Sequence, residues 1–232
     1  MVNKKWEETD VDCYSQYDAS ELQILHPQLL QIMGNISGKR IADYGCGEGK
    51  FLPELHSNGA QVYGYDISEA MIAQSRKRVG NKAELKVIES GKIPLQDNTI
   101  DIVVSNLVLM MCPSTQVIKD IFSEVYKVLV PNGQWTFCIT HPAFSDRECT
   151  TFRNVFDGHR DYFQQAQPYQ FVLKKNDGTE ITTDSFRDYH YPLSTYLNLL
   201  PQTGFRLERV EEVFVEGNSF PPYFIAKSSA IK

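Results

Sequence analysis

Three glycines, Gly45, Gly47 and Gly49, alternate with other residues directly after a short apolar run that contains Asp43. Glycine loses more backbone freedom on folding than any other residue, so this density needs a physical reason. The glycines lie where a predicted strand turns into a predicted helix, and such a turn lets backbone N–H groups approach a ligand without intervening side chains. A tight turn that binds no ligand is the alternative interpretation of the glycines alone.

An acidic residue, Asp66, ends the second predicted strand about twenty residues later. In a doubly wound sheet a carboxylate at this position accepts hydrogen bonds from ribose hydroxyls, which favours a nucleoside-bearing cofactor. The dinucleotide fingerprint is G-x-G-x-x-G, whereas the spacing here is G-x-G-x-G, and Asp43 and Glu48 place carboxylates beside the loop. Carboxylates repel a pyrophosphate but are compatible with an ammonium or a sulfonium group. The pattern therefore predicts S-adenosylmethionine rather than a dinucleotide.

The stretch "DYGCGEG" resembles the D-x-G-x-G-x-G signature of class I S-adenosylmethionine-dependent methyltransferases. The resemblance continues through "GYDIS", "IPLQDNTIDIVVSNLVL" and "EVYKVLVPNGQWTF", and it covers roughly residues 39 to 140. The closing segment "YHYPLSTYLNLLPQTGFRLERVEE" is similar to the tail of the small-molecule branch of that family. The resemblance implies an enzyme that transfers a methyl group from the cofactor.

The resemblance also implies which positions contact the cofactor. In it, Asp43 serves the amino group of the methionine part and Asp66 holds the ribose hydroxyls. The methionine part is implied to lie against Gly45, Cys46 and Gly47. The adenine is implied to pack on Ile67 and Met71, and the sulfonium to lie near Asn106 and Leu107.

Two further groups of residues leave alternatives open. Glu89, Ser90 and Gly91 stand where the family often has an Asp-Ala pair, so the contact to the adenine amino group stays open. Tyr14 or Tyr17 resembles the tyrosines that close over the cofactor in relatives. The alternative for each tyrosine is packing of an N-terminal helix on the domain.

Three candidate catalytic residues follow from their position and chemistry. His141 comes directly after the fifth predicted strand, at the edge of the sheet where open α/β folds bind ligands. His190 and Tyr191 lie between a predicted hairpin and the final helix. A histidine accepts a proton near neutral pH, which suits an acceptor that must lose one. The alternative for all three residues is a structural role, in which their hydrogen bonds order the insertion. Methyl transfer does not always need a base, because positioning of the acceptor can suffice.

Strands and helices alternate between residues 39 and 140, and this rhythm predicts a Rossmann-like, doubly wound α/β fold. Its mostly parallel seven-stranded sheet ends in an antiparallel last strand. Within a single methyltransferase domain (1–232) we expect an N-terminal helical cap (1–38), a cofactor-binding core (39–140), a lid insertion (141–190) and a closing helix with strands (191–232). Asn176-Asp177-Gly178 joins two alternating runs, which predicts a β-hairpin in the lid.

Composition limits the function further. The 232 residues carry a formal net charge of −6 and no basic stripe, which disfavours a nucleic-acid partner. The longest apolar run is too short and too polar for a bilayer, and the cysteines show no metal-ligand spacing, so we expect a cytoplasmic protein without a metal. Monomer and homodimer both stay open.

The sequence thus favours methyl transfer to an O, N or C nucleophile of a small molecule, such as a secondary metabolite. A tRNA or protein methyltransferase and a non-catalytic S-adenosylmethionine-binding module are the alternatives. A dehydrogenase is a more distant one, because the glycine spacing and the acids oppose a pyrophosphate.

Overall fold

The computed structural model of the chain describes residues 5–17 and 22–232. In chain order its strands are β1 (Arg40–Tyr44), β2 (Gln61–Asp66), β3 (Ala83–Val87), β4 (Ile100–Asn106), β5 (Leu129–Thr140), β6 (Phe152–Phe156), β7 (Gln167–Lys174), β8 (Glu180–Ile181), β9 (Arg187–His190), β10 (Phe205–Val213) and β11 (Tyr223–Ala230). Its α-helices are α1 (Glu8–Ser15), α2 (Leu22–Met33), α3 (Leu52–Ser57), α4 (Glu69–Val79), α5 (Thr115–Val128) and α6 (Leu193–Gln202). Residues 1–4 and 18–21 of the predicted N-terminal helical cap lie outside the described residues.

Seven strands form one sheet in the order β10-β11-β5-β4-β1-β2-β3. Strands β1 to β5 pair in parallel, whereas β11 runs antiparallel to both of its neighbours, β5 and β10. The predicted doubly wound sheet with an antiparallel last strand is confirmed. Because the strand order reverses beside β1, the connections that follow β1 and β4 turn to opposite faces of the sheet and leave a crevice between them.

Capping residues fix where the crossover helices begin and end. The Ser68 hydroxyl accepts a hydrogen bond from the Met71 N–H at 3.2 Å at the start of α4, and Ser114 does the same for Val117 at 3.4 Å at the start of α5. Gly80 ends α4 in a left-handed conformation, with φ of 58°. These caps place the amino ends of both helices next to the carboxyl ends of β2 and β4.

The buried strands alternate between two apolar layers, as the period of two in a strand requires. Ile102 and Val104 of β4 belong to the cluster that also contains the apolar faces of α2, α3 and α4. Val103 between them belongs to the opposite cluster, with α5 and α6. The sheet is thus covered on both faces and forms a rigid support for the residues at its carboxyl edge.

Pro131, Asn132 and Gly133 form an irregularity within β5. The pairing of β5 with β4 shifts register between Leu129 and Gln134, and Asn132 adopts φ of 58°. The extra residues therefore form a bulge, and strand β5 continues on both sides of it.

A second, four-stranded antiparallel sheet forms between the fifth and sixth strands of the main sheet. Strand β7 pairs with β6 on one side and with β8 and β9 on the other. The predicted hairpin turn is present: Gly178, with φ of 83°, donates to the Lys175 carbonyl at 2.9 Å. Strand β6 has no counterpart in the sequence prediction, and the second run of the hairpin pairs only over Glu180–Ile181 before it breaks.

The N-terminal segment joins this second sheet to the main one. Trp6 stacks on Phe186 with ring centroids 4.8 Å apart, and the Thr183 hydroxyl donates to Asp10 at 2.9 Å. The Ser68 hydroxyl donates to the Trp6 carbonyl at 2.6 Å. These contacts lay residues 6–15 across the opening above the carboxyl edge of the sheet. No helix in the described ranges is long and apolar enough to cross a lipid bilayer.

Candidate functional site

A cavity of about 220 Å³ lies at the carboxyl edge of the main sheet. Successive strands contribute one polar residue each to its wall: Asp66 ends β2, Asp43 lies in β1, Asn106 ends β4 and Thr140 ends β5. The second sheet and the N-terminal segment cover the cavity with apolar side chains, among them Trp6. The site is therefore a covered pocket that extends along the sheet edge.

The glycine loop is packed too closely for side chains. Gly45 has φ of 80°, and a Cβ there would lie 2.3 Å from Cγ2 of Val108. Gly49 has φ of 76°, and a Cβ there would lie 2.3 Å from the Ser75 hydroxyl oxygen. Left-handed backbone and lack of space together require glycine at both positions.

The backbone N–H groups of the loop donate within the protein, which corrects the expectation that they face a ligand. Gly45 and Cys46 both donate to the Tyr65 carbonyl, at 2.7 and 3.0 Å. Gly47 donates to Oδ2 of Asp66 at 2.9 Å. The loop therefore offers the cavity a flat backbone surface rather than a nest of donors.

The carboxylate of Asp66 is held by two backbone groups. Its Oδ1 accepts from the Ser68 N–H at 2.8 Å, and its Oδ2 accepts from Gly47. Burial raises the pKa of Asp66, and the two hydrogen bonds oppose that shift. The contacts fix the orientation of the carboxylate at the cavity wall.

Asp43 is buried at the centre of the wall. Within the described residues its carboxyl group has no hydrogen-bond partner, and burial together with the nearby Asp66 raises its pKa to about 7. An unpaired buried carboxylate is costly, and such groups mark candidate ligand-binding positions. A cationic ligand group would compensate it directly.

Glu48, by contrast, is already neutralised. Its carboxylate lies 2.6 Å from Nζ of Lys50 and 2.8 Å from a guanidinium nitrogen of Arg78. Glu48 is therefore not the free acid beside the loop that its position in the sequence predicted. The excess of negative charge at this part of the cavity comes from Asp43 and Asp66.

The end of β4 is strained where it meets the cavity. Leu107 adopts a left-handed backbone with φ of 58°, which is uncommon for a residue with a side chain. Oδ1 of Asn106 is buried without a hydrogen-bond partner among the described residues. Strain and unsatisfied polar groups concentrate at functional sites, so this segment is a candidate contact to a bound molecule.

Most residues predicted to contact the cofactor line the cavity. The lining includes Tyr14, Asp43, Gly45, Cys46, Gly47, Asp66, Ile67, Met71, Asn106 and Leu107. Four others lie outside it: Tyr17, Glu89, Ser90 and Gly91. The Tyr17 hydroxyl donates to the Thr151 carbonyl at 3.4 Å, and Gly91 donates to the Tyr44 hydroxyl at 2.7 Å. Their roles toward the cofactor stay predictions.

The three candidate catalytic residues also lie outside the cavity lining, and each is hydrogen-bonded within the protein. His141 accepts from the Ala143 N–H at 3.2 Å and donates to Glu212 at 3.1 Å. His190 donates to the Tyr162 carbonyl at 3.0 Å and lies 3.2 Å from the Ser145 hydroxyl, and the Tyr191 hydroxyl donates to the Cys112 carbonyl at 2.6 Å. These contacts fit the alternative in which the three residues order the insertion.

Sequence reasoning missed several residues of the lining. Trp6, His26, Thr140, Asn154 and Asp188 belong to no motif that was recognised. Asp188 shares the inward face of β9 with His190, two residues later, so the alternation of the strand was a usable signal. His26 lies 2.6 Å from Glu54, and burial lowers its pKa.

The chain resembles known methyltransferases in sequence. A sequence family described as a methyltransferase domain matches residues 42–137. The malonyl-[acyl-carrier protein] O-methyltransferase of Pectobacterium atrosepticum is 31% identical over 170 residues, which are 69% of this chain and 65% of that protein. The enzyme of the same name from Legionella pneumophila is 29% identical, over 72% of this chain and 58% of its own length.

The fold has close structural counterparts. An S-adenosylmethionine-dependent methyltransferase from Mesorhizobium loti superposes with a TM-score of 0.64 at 22% identity, over 88% of this chain and 96% of that one. This likeness extends beyond the segment matched by the family. Residues 42–137, which contain the glycine loop and the acid at the end of β2, thus match a methyltransferase domain, and the chain has the fold of S-adenosylmethionine-dependent methyltransferases.

Proposed function

We propose that the protein binds S-adenosylmethionine in the cavity and transfers its methyl group to a small molecule. The observation that carries the proposal is a pair of carboxylates, buried Asp43 and half-buried Asp66, beside a glycine loop that has no room for a side chain at Gly45 or Gly49. When bound, S-adenosylmethionine supplies a methyl group that is already activated by the positive charge on sulfur.

The residues of the cavity fit this cofactor. Asp43 lacks a partner and matches an ammonium group, while Asp66 matches a pair of ribose hydroxyls. Ile67 and Met71 provide an apolar wall for the adenine. The unsatisfied Asn106 and the adjacent left-handed Leu107 lie between Asp43 and the end of β5, where the reacting end of the cofactor would come.

Positioning is the main contribution expected from the protein. Holding an acceptor close to the methyl carbon and in line with sulfur can lower the barrier by up to roughly 7–11 kcal/mol in favourable cases. The cover formed by the second sheet and the N-terminal segment would exclude water from this arrangement. A rigid, covered pocket suits an acceptor that is held on all sides.

A small acceptor is favoured over a polymer. Phe152 and Phe171 of the second sheet and Tyr223 of β11 line the cavity, so it has an apolar, aromatic wall under a cover. Such walls bind planar or apolar small molecules. The acidic net charge of −6 also opposes a nucleic-acid acceptor.

The function is tested by measuring which molecules become radioactive when the protein is given S-adenosylmethionine with a tritiated methyl group. The full chain is incubated with a cell-derived small-molecule fraction, bulk tRNA and bulk protein in separate reactions. We expect label in the small-molecule fraction and none in the polymers, beyond a heat-inactivated control. Label in tRNA or protein alone would overturn the proposed acceptor class, and no label in any reaction would overturn the proposed activity.

A second candidate acceptor is a malonyl thioester on an acyl carrier protein, which the similarity to the Pectobacterium and Legionella enzymes favours. A malonyl group ends in a carboxylate. Within the described residues the cavity lining contains no arginine, and its one lysine, Lys50, is paired with Glu48. We therefore rank this acceptor second, and the same assay with malonyl-loaded carrier protein decides it.

Cofactor affinity should depend on pH through Asp43. Because the pKa of this carboxyl group is about 7 in the unliganded protein, binding of an ammonium group requires loss of its proton at lower pH. The affinity for S-adenosylhomocysteine should therefore rise about tenfold between pH 6 and pH 8 and change little above pH 8. Calorimetric titration in buffers of different ionisation enthalpy measures both the affinity and the released proton.

The variant Asp43→Asn serves as the comparison. It should bind more weakly than wild type at pH 8 and lose the pH dependence. Because the folded-state pKa lies above the ordinary value of 3.8, the carboxyl group favours folding at low pH, and its contribution declines as pH rises toward 7. Asp43→Asn should accordingly unfold at a higher temperature than wild type at pH 8. An unchanged pH profile in the variant would contradict the assignment.

A further inference from the structure

Another buried acid lines the cavity from the second sheet rather than from the main one. Asp188 of β9 is 4% exposed and lines the cavity. Its Oδ1 is buried without a hydrogen-bond partner among the described residues. A buried carboxylate oxygen left unpaired is costly, so a ligand that donates a hydrogen bond would stabilise it.

A polar chain connects Asp188 to the main sheet. Oδ2 of Asp188 accepts from the Tyr169 hydroxyl at 3.4 Å, and that hydroxyl lies 3.5 Å from the hydroxyl of Thr140 at the end of β5. Tyr169 is itself buried, so the contacts orient one carboxylate oxygen of this cavity-lining residue and leave the other unpaired. The arrangement is built from two sheets, which gives it a fixed position.

The strand order places this group at the acceptor side of the site. Asp66 and Asp43 belong to β2 and β1, Asn106 to β4, and Thr140 to β5, in the order in which the strands lie side by side. If the cofactor occupies the β2 and β1 side, its reacting end lies near β4. Asp188, connected to β5, then lies beyond that end.

The charges around Asp188 define what can bind there. The basic side chains among the described lining residues are Lys50 and His26, and both are paired with glutamates near the glycine loop and α3. A carboxylate acceptor beside Asp188 would therefore meet a like charge without a compensating cation. A hydroxyl or an amine would meet an acceptor oxygen that needs a partner.

We propose that Asp188 binds the acceptor through the hydroxyl or amine that becomes methylated, so that the acceptor class is a hydrogen-bond donor on a planar, apolar body. This inference rests on the proposed function. For a hydroxyl acceptor, the bond between oxygen and the methyl carbon forms, and the carbon–sulfur bond breaks with its electron pair going to sulfur. The proton of the hydroxyl passes to Asp188, which makes it a catalytic base.

The surroundings of Asp188 are consistent with this proton transfer. Burial raises the pKa of Asp188 to about 7, against the opposing hydrogen bond from Tyr169. The titratable groups that act on it are the phenols of Tyr169 and Tyr196, and burial raises the pKa of both above the ordinary value, so they stay neutral near pH 7. A base with a pKa near the working pH is the most effective kind.

A binding experiment with matched probes tests the acceptor class. The protein is saturated with S-adenosylhomocysteine and titrated with 2-naphthol, naphthalene and 2-naphthoate, which share a ring system and differ in the group presented. We expect 2-naphthol to bind at least about tenfold more tightly than either other probe, and this preference to vanish in Asp188→Leu. Tighter binding of naphthoate, or no binding of naphthol, would overturn the acceptor class. Failure of S-adenosylhomocysteine itself to bind would instead overturn the proposed function.

The variant Asp188→Asn separates binding from proton transfer. An amide oxygen still accepts the hydrogen bond, so the dissociation constant for 2-naphthol should change by less than about threefold, whereas methyl transfer to naphthol should fall by about 100-fold or more. Asp184→Asn, an exposed position of the same cover, is the matched control and should leave both quantities unchanged. Methyl transfer by Asp188→Asn at the wild-type rate, or none by wild type to bound naphthol, would overturn the role as base.

Discussion

Asp66→Ala is expected to lower the affinity for S-adenosylhomocysteine by about 100-fold or more. A carboxylate that accepts hydrogen bonds from two ribose hydroxyls contributes roughly 1.5–3 kcal/mol for each bond to a charged group. The change also removes the acceptor of the Gly47 and Ser68 N–H groups and so loosens the glycine loop. Isothermal titration calorimetry at pH 8 measures the effect.

Two further variants make the Asp66 result specific. Asp97→Ala removes an exposed acid from the loop before β4, at the opposite edge of the sheet, and should leave the affinity unchanged. Asp66→Asn keeps the volume of the side chain and should still bind at least about tenfold more weakly than wild type. Wild-type affinity in Asp66→Ala would remove the ribose assignment.

Gly45→Ala is expected to have an effect of similar size. The new Cβ would lie 2.3 Å from Cγ2 of Val108, far inside the usual contact distance of about 3.5–4.0 Å, so the loop or the end of β4 must move. A left-handed alanine adds about 1–2 kcal/mol of strain. Both changes fall on the surface proposed to hold the methionine part, and the affinity for S-adenosylhomocysteine should fall by about 100-fold or more.

Gly34→Ala is the matched control for backbone strain. Gly34 has the same φ of 80° as Gly45, but nothing lies within 4 Å of a Cβ built there. It should lower the free energy of unfolding by about 1–2 kcal/mol without changing cofactor affinity. If Gly45→Ala and Gly34→Ala behave alike in both urea denaturation and calorimetry, the close packing of the loop has no role in binding.

The main sheet could be predicted because its signals are local. Caps such as Ser68 and Ser114, the glycine turn and the alternation of strands with helices all act over a few residues, and they agree with one another. The bulge at Asn132 and the short strand β6 were not predicted, because each depends on pairing with a partner strand rather than on its own sequence. Tertiary pairing overrides local propensity at such positions.

The residues that line the glycine-loop side of the cavity could also be named from the sequence, because they follow the first two strands and the fourth in recognisable stretches. Asp43 lies buried beside the loop, and its role toward a cationic group stays a prediction. Glu48 is not a free acid, because it pairs with Arg78, thirty positions away. No spacing rule in one sequence reveals such a pair. The net charge beside the glycine loop therefore depends on ion pairs that form only in the folded protein.

The acceptor side could not be predicted because it is assembled from the second sheet. Position along the chain and residue type favoured His141, His190 and Tyr191, whose side chains are hydrogen-bonded outside the cavity lining. Asp188 faces the cavity because β9 pairs with β7 in a register that places Asp188 opposite Tyr169. That register is a property of the folded insertion: the alternation of β9 indicates that Asp188 and His190 share a face, but not which surface that face contacts.

The central claim is that the buried acids beside the glycine loop select a ligand with a cationic end and without a pyrophosphate. Parallel equilibrium dialysis of the full chain at pH 8 with S-adenosylmethionine and with NAD tests it most directly. We predict saturable binding of one S-adenosylmethionine per chain and no saturable binding of NAD. Saturable binding of NAD by a protein that leaves S-adenosylmethionine unbound would contradict the account.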